Sequence, residues 1–332
     1  MELPPLAADA GIRRLPIPTP FAVGRVNCYL LEDEPLTLLD TGPNSGKALD
    51  ELERALAAHG HAVEDLGLIV ISHQHMDHLG LTAILARRSG AEVAALDVLA
   101  PWAAGYGKNM AADDEFADAI MARHGIPEEV RYALRAVAAT FRGWGAAATV
   151  TRPLSDGATV ELRDRTLRVL HRPGHSPTDT LFHDEERGLL LGGDHLIKHI
   201  SSNPLITRPL DGGGGTGDRP QALVAYLASL ERTREMELEL VLPGHGDPIE
   251  DHRKLIDERF RMHARRAEKL YRLIAERPQS AYELAHALWG NVAVTQAYLT
   301  LSEVLGHTDL LLNEGRVREE VDAQGVARFE VC

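Results

Sequence analysis

Residues 73–78 read His-Gln-His-Met-Asp-His, directly behind an apolar run at 66–71 that ends in Ile-Val-Ile. Such a run predicts a buried strand. A strand end is rigid, and the loop after it is free to turn several side chains inward. His73 and His75, two apart, can face one point, and Asp77 and His78 a second point beside it. Imidazole and carboxylate together are the ligand set of zinc and its first-row neighbours. Surface histidines in a polar turn are the plain alternative. Four ligand-type groups packed behind a β-branched strand leave that alternative little room.

Further groups of the same kind stand at the ends of other apolar runs. His175, in Pro173-Gly174-His175-Ser176, follows the strand-like stretch 166–171. Asp194 and His195 follow Gly192-Gly193 and the leucines at 189–191. His245, in Pro243-Gly244-His245-Gly246-Asp247, follows 238–242, and upstream the run 36–39 ends in Asp40. Glycine beside such positions lets backbone approach a crowded centre.

The ordered set, from about residue 15 to 252, resembles the metallo-β-lactamase superfamily. That resemblance implies an α+β fold, an αββα sandwich of two sheets flanked by helices. It assigns a first metal to His73, His75 and His175, a second to Asp77, His78 and His245, and a bridging role to Asp194. Asp40 matches the aspartate that orients the metal-binding loop. The implied cofactors are two divalent ions, Zn2+ first, with Mn2+ or Fe2+ as alternatives. Two such ions share a hydroxide and polarise a carbonyl or phosphoryl oxygen. Asp77 is the candidate to orient that hydroxide or take its proton. His195 is a candidate proton donor or substrate contact, with a purely structural histidine as the alternative.

Departures from relatives narrow the reading. Metallo-β-lactamases proper lack the bridging aspartate, so Asp194 argues against antibiotic hydrolysis. Glyoxalase II shares the ligand set but carries a different helical C-terminal domain. Flavodiiron proteins place glutamate where His75 stands, which disfavours an oxygen-reducing di-iron centre. The expected activity is hydrolysis of a small ester, thioester or lactone. The alternatives are a metal-dependent endoribonuclease acting on single-stranded RNA and a mononuclear iron enzyme of the persulfide-dioxygenase type.

The chain divides into a catalytic domain, 1–255, and a linker helix with a small domain, 256–332. Within the first, about 98–145 loses strand alternation and reads as a helical insertion, either a lid supplying an apolar pocket or ordinary packing. Its Lys108, Arg123, His124, Arg131 and Arg135 are candidates to meet an anionic group, or a solvated face. The polar loop 198–218, with glycines at 212–215, either borders the site or is only a flexible tract. Beyond it, a capped helix at 280–289, a second at 295–305 and a hairpin spread over 310–331 suggest a winged helix, nucleic-acid binding by association and a homodimer contact as another use. His286 and His307 there read as surface or core residues.

Charge weighs against nucleic acid. The whole chain carries −14, and 265–332 holds eight Lys and Arg against ten Asp and Glu; a phosphate reader needs a positive footprint. No apolar run approaches the roughly 18 residues of a membrane span. The N-terminus shows no secretory pattern, and Cys28 and Cys332 are the only cysteines. A cytoplasmic protein with reduced thiols, acting on a small molecule, is expected.

Overall fold

The computed structural model describes residues 3–210 and 219–332, so the glycine tract at 211–217 lies outside the described residues. The strand behind the histidine motif forms at Leu68–Ile71 with every residue buried. Alternate side chains of a strand point to opposite faces. Leu68 and Val70 enter one apolar cluster, and Ile69 and Ile71 another. A strand apolar on both faces needs cover on both, and the architecture follows from that need.

Six strands form the first sheet in chain order: β1 (Ile12–Ile17), β2 (Val26–Leu31), β3 (Thr37–Leu39), β4 (Leu68–Ile71), β5 (Glu92–Leu96) and β6 (Arg152–Leu154). β1 to β3 pair antiparallel and β3 to β6 parallel. Five form the second: β7 (Thr159–Glu161), β8 (Thr166–His171), β9 (Thr180–Asp184), β10 (Leu189–Gly193) and β11 (Leu240–Pro243). These are antiparallel except for the parallel pair β10–β11.

Between the sheets, Leu31, Leu39, Leu68 and Val70 meet Val169, Phe182, Leu189 and Leu242. The outer face of the first sheet is covered by Leu52 and Leu56 of the helix Gly46–Ala58 and by Leu85 of Thr82–Ser89. The outer face of the second is covered by Leu223, Tyr226 and Leu230 of Ala222–Arg234 and by Leu255 and Ile256 of His252–Glu276. The layers are therefore helix, sheet, sheet, helix, as the resemblance implied.

From the histidine motif onward the chain forms two short helices, Met76–Leu79 and Thr82–Ser89. They part at Gly80, where the backbone of Asn44 and Trp144 presses in and leaves no room for a Cβ.

The insertion folds as the helices Leu99–Ala104, Tyr106–Arg123 and Glu128–Phe141. It packs in two places: Leu99, Trp102 and Tyr106 join the cluster of Ile71 and Leu79, and Ile120, Met121 and Ile126 share a core with Leu270, Leu284, Leu305 and Phe329 of the C-terminal part. There, Ser280 and Glu283 cap the helix Ala281–Trp289 reciprocally, which fixes its start. A longer helix, Ala297–Asn313, follows, with a three-stranded sheet of β12 (Gln279–Ser280), β13 (Val317–Val321) and β14 (Ala327–Val331), β14 central. The leucines at 310–312 belong to that helix and not to the hairpin. Leu311 is buried, and the chain turns only after Gly315, at φ +67°. No helix among the described residues is long and apolar enough to cross a membrane.

The helix His252–Glu276 belongs to both parts. Leu255 and Ile256 pack on the second sheet, while Leu270 and Ile274 sit in the C-terminal core.

Candidate metal centre

β3, β4, β8, β10 and β11 run so that their C-terminal ends deliver loops to one rim of the sandwich. β3 and β4 are parallel, as are β10 and β11, and β8 is two antiparallel steps from β10. Asp40, the 73–78 motif, His175, Asp194 and His245 all follow these ends. Backbone bonds stitch the two sheets there. Thr180 donates to the Ser72 carbonyl and Asn27 to that of Gly244. The Asn27 side chain and the Tyr29 hydroxyl both donate to the Pro243 carbonyl, at 2.9 and 2.8 Å.

The rim brings seven ligand-type residues together. His73, His75 and His175 form one group whose donor atoms lie within 4.8 Å of one another; Asp77, His78 and His245 form a second; His73, His78 and Asp194 form a third. His75 Nδ1 lies 3.0 Å from both His73 Nε2 and His175 Nε2. Asp194 stands between the groups, its Oδ2 3.6 Å from His175 Nε2 and 3.5 Å from His245 Nε2, its Oδ1 3.5 Å from His78 Nε2. Gly244 backs this point; a Cβ there would run into Asp194 and His78.

Three of the rings, His73, His78 and His245, have their far nitrogen already committed. His78 Nδ1 is 2.8 Å from Asp40 Oδ2, and His245 Nδ1 is 2.8 Å from the Arg25 carbonyl. Asp40 also accepts from Ser72 N–H and Ser72 Oγ, at 2.9 and 2.7 Å, and Ser72 Oγ is 2.9 Å from His73 Nδ1. One buried carboxylate thus orients His78 directly and His73 through Ser72. It does so from a left-handed backbone, φ 59°, which Asp tolerates better than most residues. Fixing the far nitrogen sets the tautomer and turns the near one inward. His78 Nε2, His245 Nε2 and Asp194 Oδ1 are left buried without a hydrogen-bond partner. Buried polar atoms of a native protein are ordinarily satisfied. Three that converge, of imidazole and carboxylate type, fit a divalent first-row cation.

Burial, then neighbouring imidazoles, pushes His73 well below the ordinary histidine range and His75 down to about 3, so both rings are neutral donors. Burial alone would raise Asp194, but His245 and His78 outweigh it and hold the carboxyl well below its usual range. Asp77 is likewise held low against burial, by His78 and His245. Behind His175, Asp179 accepts from Ser176 N–H and Oγ at 3.0 and 2.9 Å and braces the turn; burial pushes its carboxyl up to about 6.

His195 is the correction. It is fully buried, its Nε2 is 2.9 Å from Thr233 Oγ1 on the covering helix, and its ring meets Tyr226 edge-on. Neighbouring side chains at a strand end point apart: Asp194 reaches the rim, and His195 turns to the covering helix. It packs the outer layer and does not reach the centre's cavity.

That cavity, about 420 Å³, opens on His75, Asp77, His175, Asp194 and His245. Its apolar wall comes from Phe21, Val23, Ile197, Ile200, Leu205 and Leu299, none from the 98–145 insertion. The insertion reaches it only from behind, where Phe141 rests 5.7 Å from Phe21. Nor do its charged residues face the site. Arg123 pairs with Glu319, Arg131 and Arg135 with Asp118, and His124 is buried flat against Phe329. The loop after Asp194 is the one that borders the centre. Sequence reading missed its apolar residues and Leu299, because isolated apolar side chains carry no period. Ser72 was visible inside the motif, and its polarity behind an apolar strand was the available signal.

A fourth ligand-type group, His263, Glu303 and His307, lies in the C-terminal core. Its nitrogens are spent on hydrogen bonds: His263 Nδ1 to His307 Nε2 at 3.0 Å, and His307 Nδ1 to the Glu303 carbonyl at 2.6 Å. Glu303 pairs with Arg266. His286 is exposed.

Comparison with known proteins gives the family. A profile described as "Metallo-beta-lactamase superfamily" matches 22–245, and one described as "Metallo-beta-lactamase-like, C-terminal domain" matches 267–332. "Probable metallo-hydrolase YqjP" of Bacillus subtilis is 31% identical over 295 residues, 89% of this chain and 90% of that protein. The crystal structure of a Beta-lactamase domain protein from Burkholderia ambifaria superposes with a TM-score of 0.83 at 28% identity, covering 100% of this chain and 94% of that one. "Acyl-coenzyme A thioesterase MBLAC2" of Bos taurus is 32% identical over 120 residues, only 33% of this chain and 38% of that protein.

Proposed function

The chain belongs to the metallo-β-lactamase superfamily, and on that premise we propose that it is a binuclear, metal-dependent hydrolase of a small acyl ester, thioester or lactone. His73, His75 and His175 would hold one ion, Asp77, His78 and His245 the other, with Asp194 shared. Bound there, two divalent ions, zinc in the first place, would supply a nucleophile from water at neutral pH and a Lewis acid for the acyl carbonyl. The protein's own side chains do the rest. Asp40 and Ser72 hold the rings in register. Asp77, which borders the cavity, would orient the nucleophile or take its proton at the carboxylate. The apolar wall keeps bulk water from the acyl group.

The observation that carries this reading is the convergence of His175, Asp194 and His245 from the second half of the chain on the 73–78 motif, beside an apolar cavity. The thioesterase name of the partial relative favours a thioester among the three linkages. The C-terminal helices and hairpin, a winged-helix-like unit, serve in this reading as a wall of the site and not as a nucleic-acid reader. The test is purified protein with His73→Ala and Asp194→Ala, metal analysis, and a panel of esters, thioesters and lactones. Loss of metal and turnover together is expected; full activity in either variant refutes it. Metal-dependent cutting of single-stranded RNA would favour the endoribonuclease instead. One iron per chain with oxygen uptake on persulfide would favour the dioxygenase.

A further inference from the structure

Few large apolar side chains are left exposed on this protein, and two of them, Ile200 and Leu299, meet at the mouth of the same cavity from positions about a hundred residues apart in the chain. Ile200 stands in the loop after Asp194, and Leu299 stands on the first turn of the helix Ala297–Asn313 in the C-terminal unit. With Phe21, Val23, Ile197 and Leu205 they form an apolar shelf that runs from the surface to Asp77, His175 and Asp194. No Lys or Arg is among the described residues that line it.

The shelf is held rigidly from the C-terminal side. A single Arg259 nitrogen, Nη2, donates to the carbonyls of Ile197, Lys198 and Ile200 at 3.0, 3.1 and 2.9 Å. Asn203 Nδ2 donates to the Leu299 carbonyl at 3.3 Å, and Tyr298 donates through its hydroxyl to Ile206. Ser201 Oγ lies 3.5 Å from His263 Nε2. A loop fastened at both ends that still presents apolar side chains outward is a preformed binding surface.

The geometry points to Leu299 as a specificity-determining residue, by which the C-terminal unit selects substrates with an uncharged, apolar acyl chain of medium length laid along this shelf. The inference rests on the hydrolase reading above and adds to it which acyl groups the site takes. A shelf without a cation gives a carboxylate- or phosphate-bearing acyl end no partner, and burying such an end unpaired is costly. An alkyl chain gains with each methylene removed from water.

The experiment is a series of p-nitrophenyl esters and matching thioesters from acetyl to dodecanoyl, with a succinyl member, given to metal-loaded parent, Leu299→Trp and Leu299→Ala. Leu299 is 40% exposed, so neither change burdens the core, and melting curves verify folding. In the parent, kcat/KM should climb about fourfold per methylene up to a cut-off and be lowest for succinyl. Leu299→Trp should cut the octanoyl-to-acetyl ratio at least about tenfold, and Leu299→Ala should move the cut-off to longer chains. A ratio unchanged in both variants, or a preference for succinyl, overturns the assignment while leaving the hydrolase reading intact. Hydrolysis of no member at all sinks that reading and this inference with it.

Discussion

The centre and its wall are built on opposite plans. The centre gathers seven groups from strand ends of both sheets, six of them buried, and Asp40 orients two of the rings, His78 directly and His73 through Ser72. The wall takes isolated apolar residues from the loop at 21–23, from the loop after Asp194 and from a different structural unit; the Arg259 side chain holds the carbonyls of Ile197, Lys198 and Ile200, and Asn203 that of Leu299. The first arrangement tolerates almost no change because each part is a ligand or a ligand's support. The second can be altered one side chain at a time without disturbing the chemistry. In such a design reaction and selectivity vary independently.

The contrast is most easily broken at the centre. His245→Ala should lower metal affinity beyond the roughly 10–100-fold typical of an outer partner and abolish turnover, read by metal analysis and rate together. Asp40→Asn keeps the shape but loses the charge that faces His78 and Ser72. It should cost metal affinity about 10–100-fold with an unchanged melting temperature in metal-free protein. If it proves silent, the two-ring brace is not what orients the rings.

Acid should act on the parts away from the rim. Burial pushes His124 and His263 down to about 3, against about 6.5 in the unfolded chain. The folded protein holds those protons less tightly than the unfolded chain. Their contribution to stability is therefore complete above pH 6.5 and shrinks as pH falls toward 3, by up to about 1.4 kcal/mol per pH unit for each group. Urea melts at pH 7 and pH 5 should show it. His124→Phe should flatten the slope, since both ring nitrogens of His124 lack a hydrogen-bond partner.

Arg259→Ala should raise KM for long acyl esters severalfold and leave kcat closer to the parent value, because it loosens the shelf and touches no ligand. An equal loss in kcat would merge wall and centre. Least of all should follow from Tyr132→Ala, on a helix that buries no residue: within about 0.5 kcal/mol in stability and no change in rate.

Legibility in the sequence follows the same division. The strand-then-ligand pattern at Asp40, His73, His175, Asp194 and His245 was visible because an apolar run and a polar terminus are both local signals. The layering followed from strands apolar on both faces, such as Leu68–Ile71. His195, left open between a proton donor or substrate contact and a structural residue, is the structural one, because neighbouring side chains at a strand end point apart and Asp194 takes the rim. The leucines at 310–312 look like a strand until helix packing on Leu311 decides otherwise. Leu299 and Ile200 were illegible: a solitary exposed leucine acquires meaning only when folding sets it against another.

The helix His252–Glu276 is a single beam set into two foundations. Being one continuous rod, it carries any tilt of the terminal unit straight to the layer that covers the second sheet, so the same piece that seats Leu255 and Ile256 also sets where Leu299 stands against the rim.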